Sequence, residues 1–176
     1  VKSLPRLLLV ALLSLAPRTY GEPATESSLR AALIYNFALF VEWPPERERK
    51  DATTFYLCIT PEDALDASIT ALESRRVRSK AIALRRVRMP IAPEVCDLLY
   101  ISQAEKAHLP EIVASLQSRP VLTISDATSA ARTGVVIGLD VENQRMVFDV
   151  NAQAARKQGL NINSKLLRLS RTVIEQ

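Results

Sequence analysis

The sequence is short of the residue types that most recognisable chemistry depends on. Among its 176 residues there is one histidine, His108, and only two cysteines, Cys58 and Cys96. Zinc sites built on two or three imidazoles, or on four thiolates, are therefore excluded. Four glycines are present, and none falls in a G-x-G-x-x-G or G-x-x-x-x-G-K-[ST] arrangement, so no loop is suited to cradling phosphates. No apolar stretch approaches the ~20 residues needed to span a bilayer. Composition disfavours metalloenzymes, nucleotide-loop proteins and dinucleotide binders, and no metal or cofactor is expected.

What is present is the material of one ordinary globular domain. Apolar residues make up 48% of the chain and charged residues 24%, and this length supports a real core. Lys2 and Arg6 precede a ten-residue apolar run, Leu7 to Ala16, and Thr19 and Gly21 supply small residues beyond it. This is the pattern of an export signal, cleaved after about residue 21; an amphipathic N-terminal helix or an uncleaved interfacial anchor is the alternative. Residues 22–28 read as a polar lead-in and 29–176 as the folded domain. The formal charge of +4 belongs mostly to the leader. Without Lys2, Arg6 and Arg18, 20 basic residues face 19 acidic ones, leaving +1, and a nucleic-acid partner is not expected.

Export makes a disulfide permissible, and an even cysteine count in an oxidising compartment points to a Cys58–Cys96 bond. Two buried thiols that never meet are the other reading. Closing a loop of this size is worth about 4 kcal/mol in the chain-entropy model. With no C-x-x-C to depress a thiol pKa, a clamp is favoured over a redox catalyst.

Periodicity predicts a helix from Leu29 to Trp43, capped by Ser27 or Ser28 and ended by Pro44-Pro45. Buried strands are expected at Thr54–Thr60, Leu98–Ser102 and Pro120–Ser125. A helix opens at Pro61, with Leu65, Ile69 and Leu72 on one face, and another carries Ile112, Val113 and Leu116. Residues 75–88 alternate as a strand near a sheet edge. Val135–Val141 and Arg145–Val150 flank a hairpin turn, Asn151 caps a short helix closed by Gly159, and a last amphipathic helix covers Ser164 to Ile174. Strands alternating with helices predict a three-layer α/β/α sandwich with a mostly parallel mixed sheet and a late β-hairpin.

The segments LRAALIYNFALFVEWP (Leu29–Pro44), VCDLLYIS (Val95–Ser102), PVLTISD (Pro120–Asp126) and NAQAARKQGLNINSKLLRLSRTV (Asn151–Val173) resemble, in order and spacing, the YfiR-like family. The resemblance covers about residues 28–174. It implies a periplasmic three-layer α/β/α protein able to form a homodimer, acting as negative regulator of an inner-membrane diguanylate cyclase. The regulator would engage the cyclase's periplasmic sensor domain, lowering cyclic di-GMP signalling and with it attached growth. Cys58 and Cys96 match the family's recurrent disulfide pair. The second pair that some relatives carry toward the C-terminus has no counterpart here.

Catalytic readings are weak. His108, Ser102 and Asp126 lie in the same half of the chain, but no nucleophile-elbow sequence accompanies the serine. Glu42, Glu62 and Asp63 offer carboxylates, of which the last two fit a helix start. No catalytic residue is assigned. Arginines dominate residues 75–88. Arg78, Arg85 and Arg86 are candidate contacts for anionic glycan fragments or small molecules in a ligand-binding module, the alternative function; the plainer reading is a solvated strand edge. Tyr35, Phe37 and Phe40 read as core, whereas Trp43, at a helix end beside two prolines, is placed at a partner or groove. Asn163, Ser164, Lys165 and Arg168 are candidate partner contacts, since the family's partner-facing surface includes the C-terminal helix. Leu166, Leu167, Leu169 and Val173 form that helix's apolar sector.

Overall fold

The computed structural model describes residues 25–45, 53–60, 66–88 and 96–175. The export signal, Pro61, Glu62, Asp63 and Leu65 lie outside the described residues.

The first element, α1 (Glu26–Phe40), starts inside the expected lead-in because Thr25, not Ser27 or Ser28, caps it, its hydroxyl accepting from the Ser28 amide at 3.2 Å. It stops three residues sooner than expected. Pro44 biases the preceding residue against helix, and β1 (Val41–Glu42) turns extended to pair with a later strand. β2 (Thr54–Ile59) follows, then α2 (Asp66–Thr70), which runs into a 3-10 turn at Ala71–Ser74. A tight hairpin joins β3 (Arg76–Val77) to β4 (Lys80–Arg86), with Arg78 in the left-handed region at φ 54°.

β5 (Leu98–Ile101) leads through a 3-10 turn into α3 (Leu109–Ser115), where Pro110 occupies the first turn and donates no amide that the helix needs. β6 (Leu122–Ser125) and a 3-10 turn at Ala130–Thr133 precede the hairpin of β7 (Ile137–Glu142) and β8 (Arg145–Asn151). Asn143 and Gln144 both take positive φ at its tip, the geometry that matches strand twist. α4 (Ala152–Lys157) is capped by Asn151, whose Oδ1 accepts from Ala154 N at 2.7 Å, and closes at Gly159, φ 69°. Then come β9 (Asn161–Ile162), α5 (Ser164–Leu169) and β10 (Thr172–Ile174).

The eight-stranded sheet has the order β10-β8-β7-β6-β5-β2-β4-β3. It is parallel except for the β7–β8 and β3–β4 pairs. Strand β2, third from the β3 edge, is where the order reverses: the chain moves to β4 on one side, then crosses to β5 on the other. Alternation along the middle strands feeds two cores. Phe55, Leu57, Leu98, Tyr100, Leu122 and Ile124 join α1's Ile34 and Phe37. On the opposite face Cys58, Leu99 and Ile101 pack with Leu109, Ile112 and Leu116 of α3 and its C-terminal end. Two covered faces make the three-layer sandwich.

Cys58 and Cys96 are joined by a disulfide, Cα–Cα 5.8 Å, and both are fully buried in the α3-side core. The bond ties β2 to the segment entering β5, across the point where the strand order reverses.

Candidate functional site

Two surfaces hold the residues singled out from sequence. The first is built on α5. Asn163 caps it by accepting from Lys165 N at 2.9 Å, and donates its own amide to Phe40 O at 2.9 Å. The helix is thereby pinned to the end of α1. β9 reinforces the junction, pairing Asn161 with Glu42 and Ile162 with Val41, and Asn161 Nδ2 donates to Glu42 Oε2 at 2.8 Å. Leu166 is buried and Leu167 half-buried against the core. Asn163, Ser164, Lys165 and Arg168 are exposed. Arg168 Nη1 lies 3.3 Å from Ser164 Oγ, one turn back.

Leu169 is where pattern and structure part. It is 69% exposed, so it is not part of the helix's core-facing sector. The expected helix to Ile174 ends at Leu169 because Arg171 pulls the chain away. The Arg171 amide donates to Phe148 O at 2.8 Å. Its guanidinium donates from Nε and Nη2 to the two oxygens of Asp149 (3.0 and 2.7 Å) and from Nη1 to Asp140 Oδ2 (3.1 Å). Val173 consequently lies on β10, paired with Val150. The hydrogen bonds and charge of Arg171 hold the Asp149 carboxyl below its ordinary pKa, and the acids in turn raise that of Arg171. From sequence, Arg171 reads only as a residue outside the apolar sector of the C-terminal helix; Asp140, Glu142 and Asp149, three acids on one hairpin, are the signal for a cation nearby.

Trp43 requires a correction. It is 8% exposed, edge-on to Phe55 at 5.3 Å, with Nε1 donating to Asp97 O at 3.2 Å. The polypeptide that follows α1 folds inward, so this ring is core and presents no partner surface.

The second surface is the basic β3–β4 hairpin. Arg78 Nη2 donates to Val41 O at 3.1 Å, bracing the turn against β1. The Arg85 guanidinium lies 3.8 Å over the Tyr56 ring, a cation–π contact that holds it in place. Arg86 is exposed. Arg78 and Arg85 thus have partners on β1 and β2, outside the hairpin.

The triad fragments do not assemble. His108 Nδ1 is 2.8 Å from Glu105, Asp126 accepts from Arg30, and the buried Ser102 Oγ has no hydrogen-bond partner. Arg30 also reaches the Tyr100 hydroxyl at 3.5 Å and Glu26 on its own helix, and serves to lock α1 over the ends of β5 and β6. Among the described residues no group of three or more His, Cys, Asp or Glu is placed to hold a metal ion, and no helix is long and apolar enough to cross a membrane.

With the fold and these surfaces in place, comparison settles the kinship. A family model described as YfiR/HmsC-like matches residues 27–171. The chain belongs to the YfiR/HmsC-like family. The YfiR/HmsC-like family is one of periplasmic regulatory proteins. The fold is also similar to a crystal structure of a conserved domain protein from Vibrio cholerae O1 biovar El Tor strain N16961. The TM-score is 0.52 at 9% identity, over 85% of this chain and 60% of that one. At that identity the likeness concerns architecture alone, and this YfiR/HmsC-like chain spans less than two thirds of the other protein.

Proposed function

We propose that the domain, exported by residues 1–21, is a non-catalytic repressor that binds the periplasmic sensor domain of an inner-membrane diguanylate cyclase through the α5 surface. The observation that carries this reading is Leu169, a large apolar side chain 69% exposed on a helix whose other side is anchored. Lys165 and Arg168 stand beside it, and Leu39, 40% exposed, lies on the last full turn of α1, next to the Phe40 carbonyl that Asn163 holds. An apolar centre with a charged border is the composition of a protein–protein contact. Repression then follows from linkage: a regulator that binds the inactive sensor conformation better shifts the population by that difference in affinity.

The test is charge reversal at Lys165 and Arg168 together, and separately Leu169→Asp. These exposed positions should change folding stability by no more than about 0.5 kcal/mol, while cyclic di-GMP rises in cells carrying either variant. Unchanged repression by both folded variants would place the contact elsewhere.

A further inference from the structure

A cleft of about 190 Å³ opens where β8 ends and β7 begins, between the C-terminal end of α3, the 3-10 turn at Ala130–Thr133 and α4. That is far more than the ~10–15 Å³ one water needs, and less than the ~300 Å³ at which drug-sized pockets begin. Its walls are fixed by the protein itself. Asn151 uses both ends of its carboxamide on the scaffold, donating to Ala131 O at 2.8 Å and accepting from Ala154 N at 2.7 Å. This holds α4 against the turn. Gly134, at φ 102°, brings the turn so close to α3 that a Cβ there would lie 2.9 Å from Val113 Cγ1.

The glutamines of the cleft are not engaged in this way. Gln158 is only 5% exposed, and its Oε1 is buried without a hydrogen-bond partner. Its backbone is held at the end of α4, the amide donating to the Ala154 and Ala155 carbonyls, both at 3.1 Å. Gln117 is exposed at the rim, and Gln153 accepts from Lys157 Nζ at a long 3.5 Å. Among the described residues that line the cleft none is acidic or aromatic, and Lys157 alone is charged.

We propose that this cleft binds a neutral monosaccharide, one of whose hydroxyls donates to Gln158 Oε1. A buried acceptor left unpaired is costly, so the occupant must bring a donor. A simple anion brings none, and a cation would meet Lys157 with no carboxylate to hold it. A hydroxyl donates to a carboxamide oxygen and accepts from a carboxamide N–H, so adjacent hydroxyls on a sugar ring match a wall of three glutamines. Val113 and Ala154 offer the ring's C–H groups a small apolar surface. Walls already in place lower the cost of ordering the site on binding. The cleft shares no residue with the α5 surface and stands whether or not the cyclase reading does.

The test titrates the mature protein with glucose, galactose and N-acetylglucosamine to millimolar concentrations, following backbone and side-chain amide resonances. Glycerol and galacturonate are the comparison probes. At least one neutral sugar should bind saturably and shift the Gly134 amide and the Gln158 carboxamide. Gln158→Met, which keeps the length of the side chain and removes its polar atoms, should abolish that binding in a folded protein. Gln117→Ala, at an exposed position, should weaken it roughly two- to tenfold, the range for one neutral hydrogen bond. No saturable shift from any of the three sugars would overturn the proposal, as would equal shifts from glycerol or undiminished sugar binding by folded Gln158→Met. Binding of galacturonate alone, lost in Lys157→Ala, would overturn it in favour of an anion site.

Discussion

Arg171 anchors the C-terminal edge of the sheet through one bidentate contact with Asp149 and a further contact with Asp140. Charge-assisted bonds of this kind are stronger than neutral ones, and Arg171→Met should cost about 1–2 kcal/mol in urea denaturation. The pH dependence has a definite sign. Asp149 is more acidic in the folded protein than in the unfolded chain, so its contribution is complete above the ordinary carboxylate pKa of about 3.9. It disappears as pH falls through the lower folded value. The stability gap between wild type and Arg171→Met should therefore narrow below about pH 4 and stay level above it. A gap that widens in acid would show that the pair does not carry the edge.

At the scale of elements, the two ends of α4 and the β7–β8 turn were the readily legible part, whereas the cap of α1 was not. Asn151 and Gly159 bound α4 as their chemistry requires, and the hairpin falls on Glu142-Asn143-Gln144. Asn151 does more than cap: its Nδ2 donates to Ala131 O at 2.8 Å, holding the 3-10 turn at Ala130–Thr133. Asn151→Ala should cost about 2 kcal/mol, the upper range for a cap, read as a lower midpoint in thermal or urea unfolding. Elements fixed by distant partners were harder to read. Leu166, Leu169 and Val173 fit a helical period, but the chain from Arg171 onward obeys acids on β7 and β8, 31 and 22 positions away. Val41 and Glu42 likewise leave α1 for β9, a pairing no local pattern announces. Trp43 was misplaced for a related reason: two prolines mark a boundary without saying to which side the chain turns. The candidate site was legible as exposed polar residues on α5, but its apolar centre, Leu169, was not, because spacing alone cannot separate a core leucine from one left in solvent.

Across the whole molecule, the sheet is organised around β2, and the disulfide spans its reversal point. Both sulfurs lie within the α3-side core, so the bond restrains the unfolded chain over a separation of 38 residues and also fills interior volume. Cys58→Ser with Cys96→Ser should lower stability by about 4 kcal/mol, measured under non-reducing conditions against wild type. An equal midpoint for the two would assign the cysteines no structural part. The parallel arrangement of β2, β4, β5, β6 and β7 makes most contacts long-range, which favours slow folding.

The meeting of β1 with β9 joins the beginning of the domain to its end. Ile34, Phe37 and Val41 share a core with Leu160 and Leu166, residues that the ribosome supplies more than a hundred positions later. A polypeptide released before that point leaves greasy helical surface bare, and housekeeping proteases clear such fragments readily. Truncated copies would thus lack the packing that protects α1 and would not accumulate.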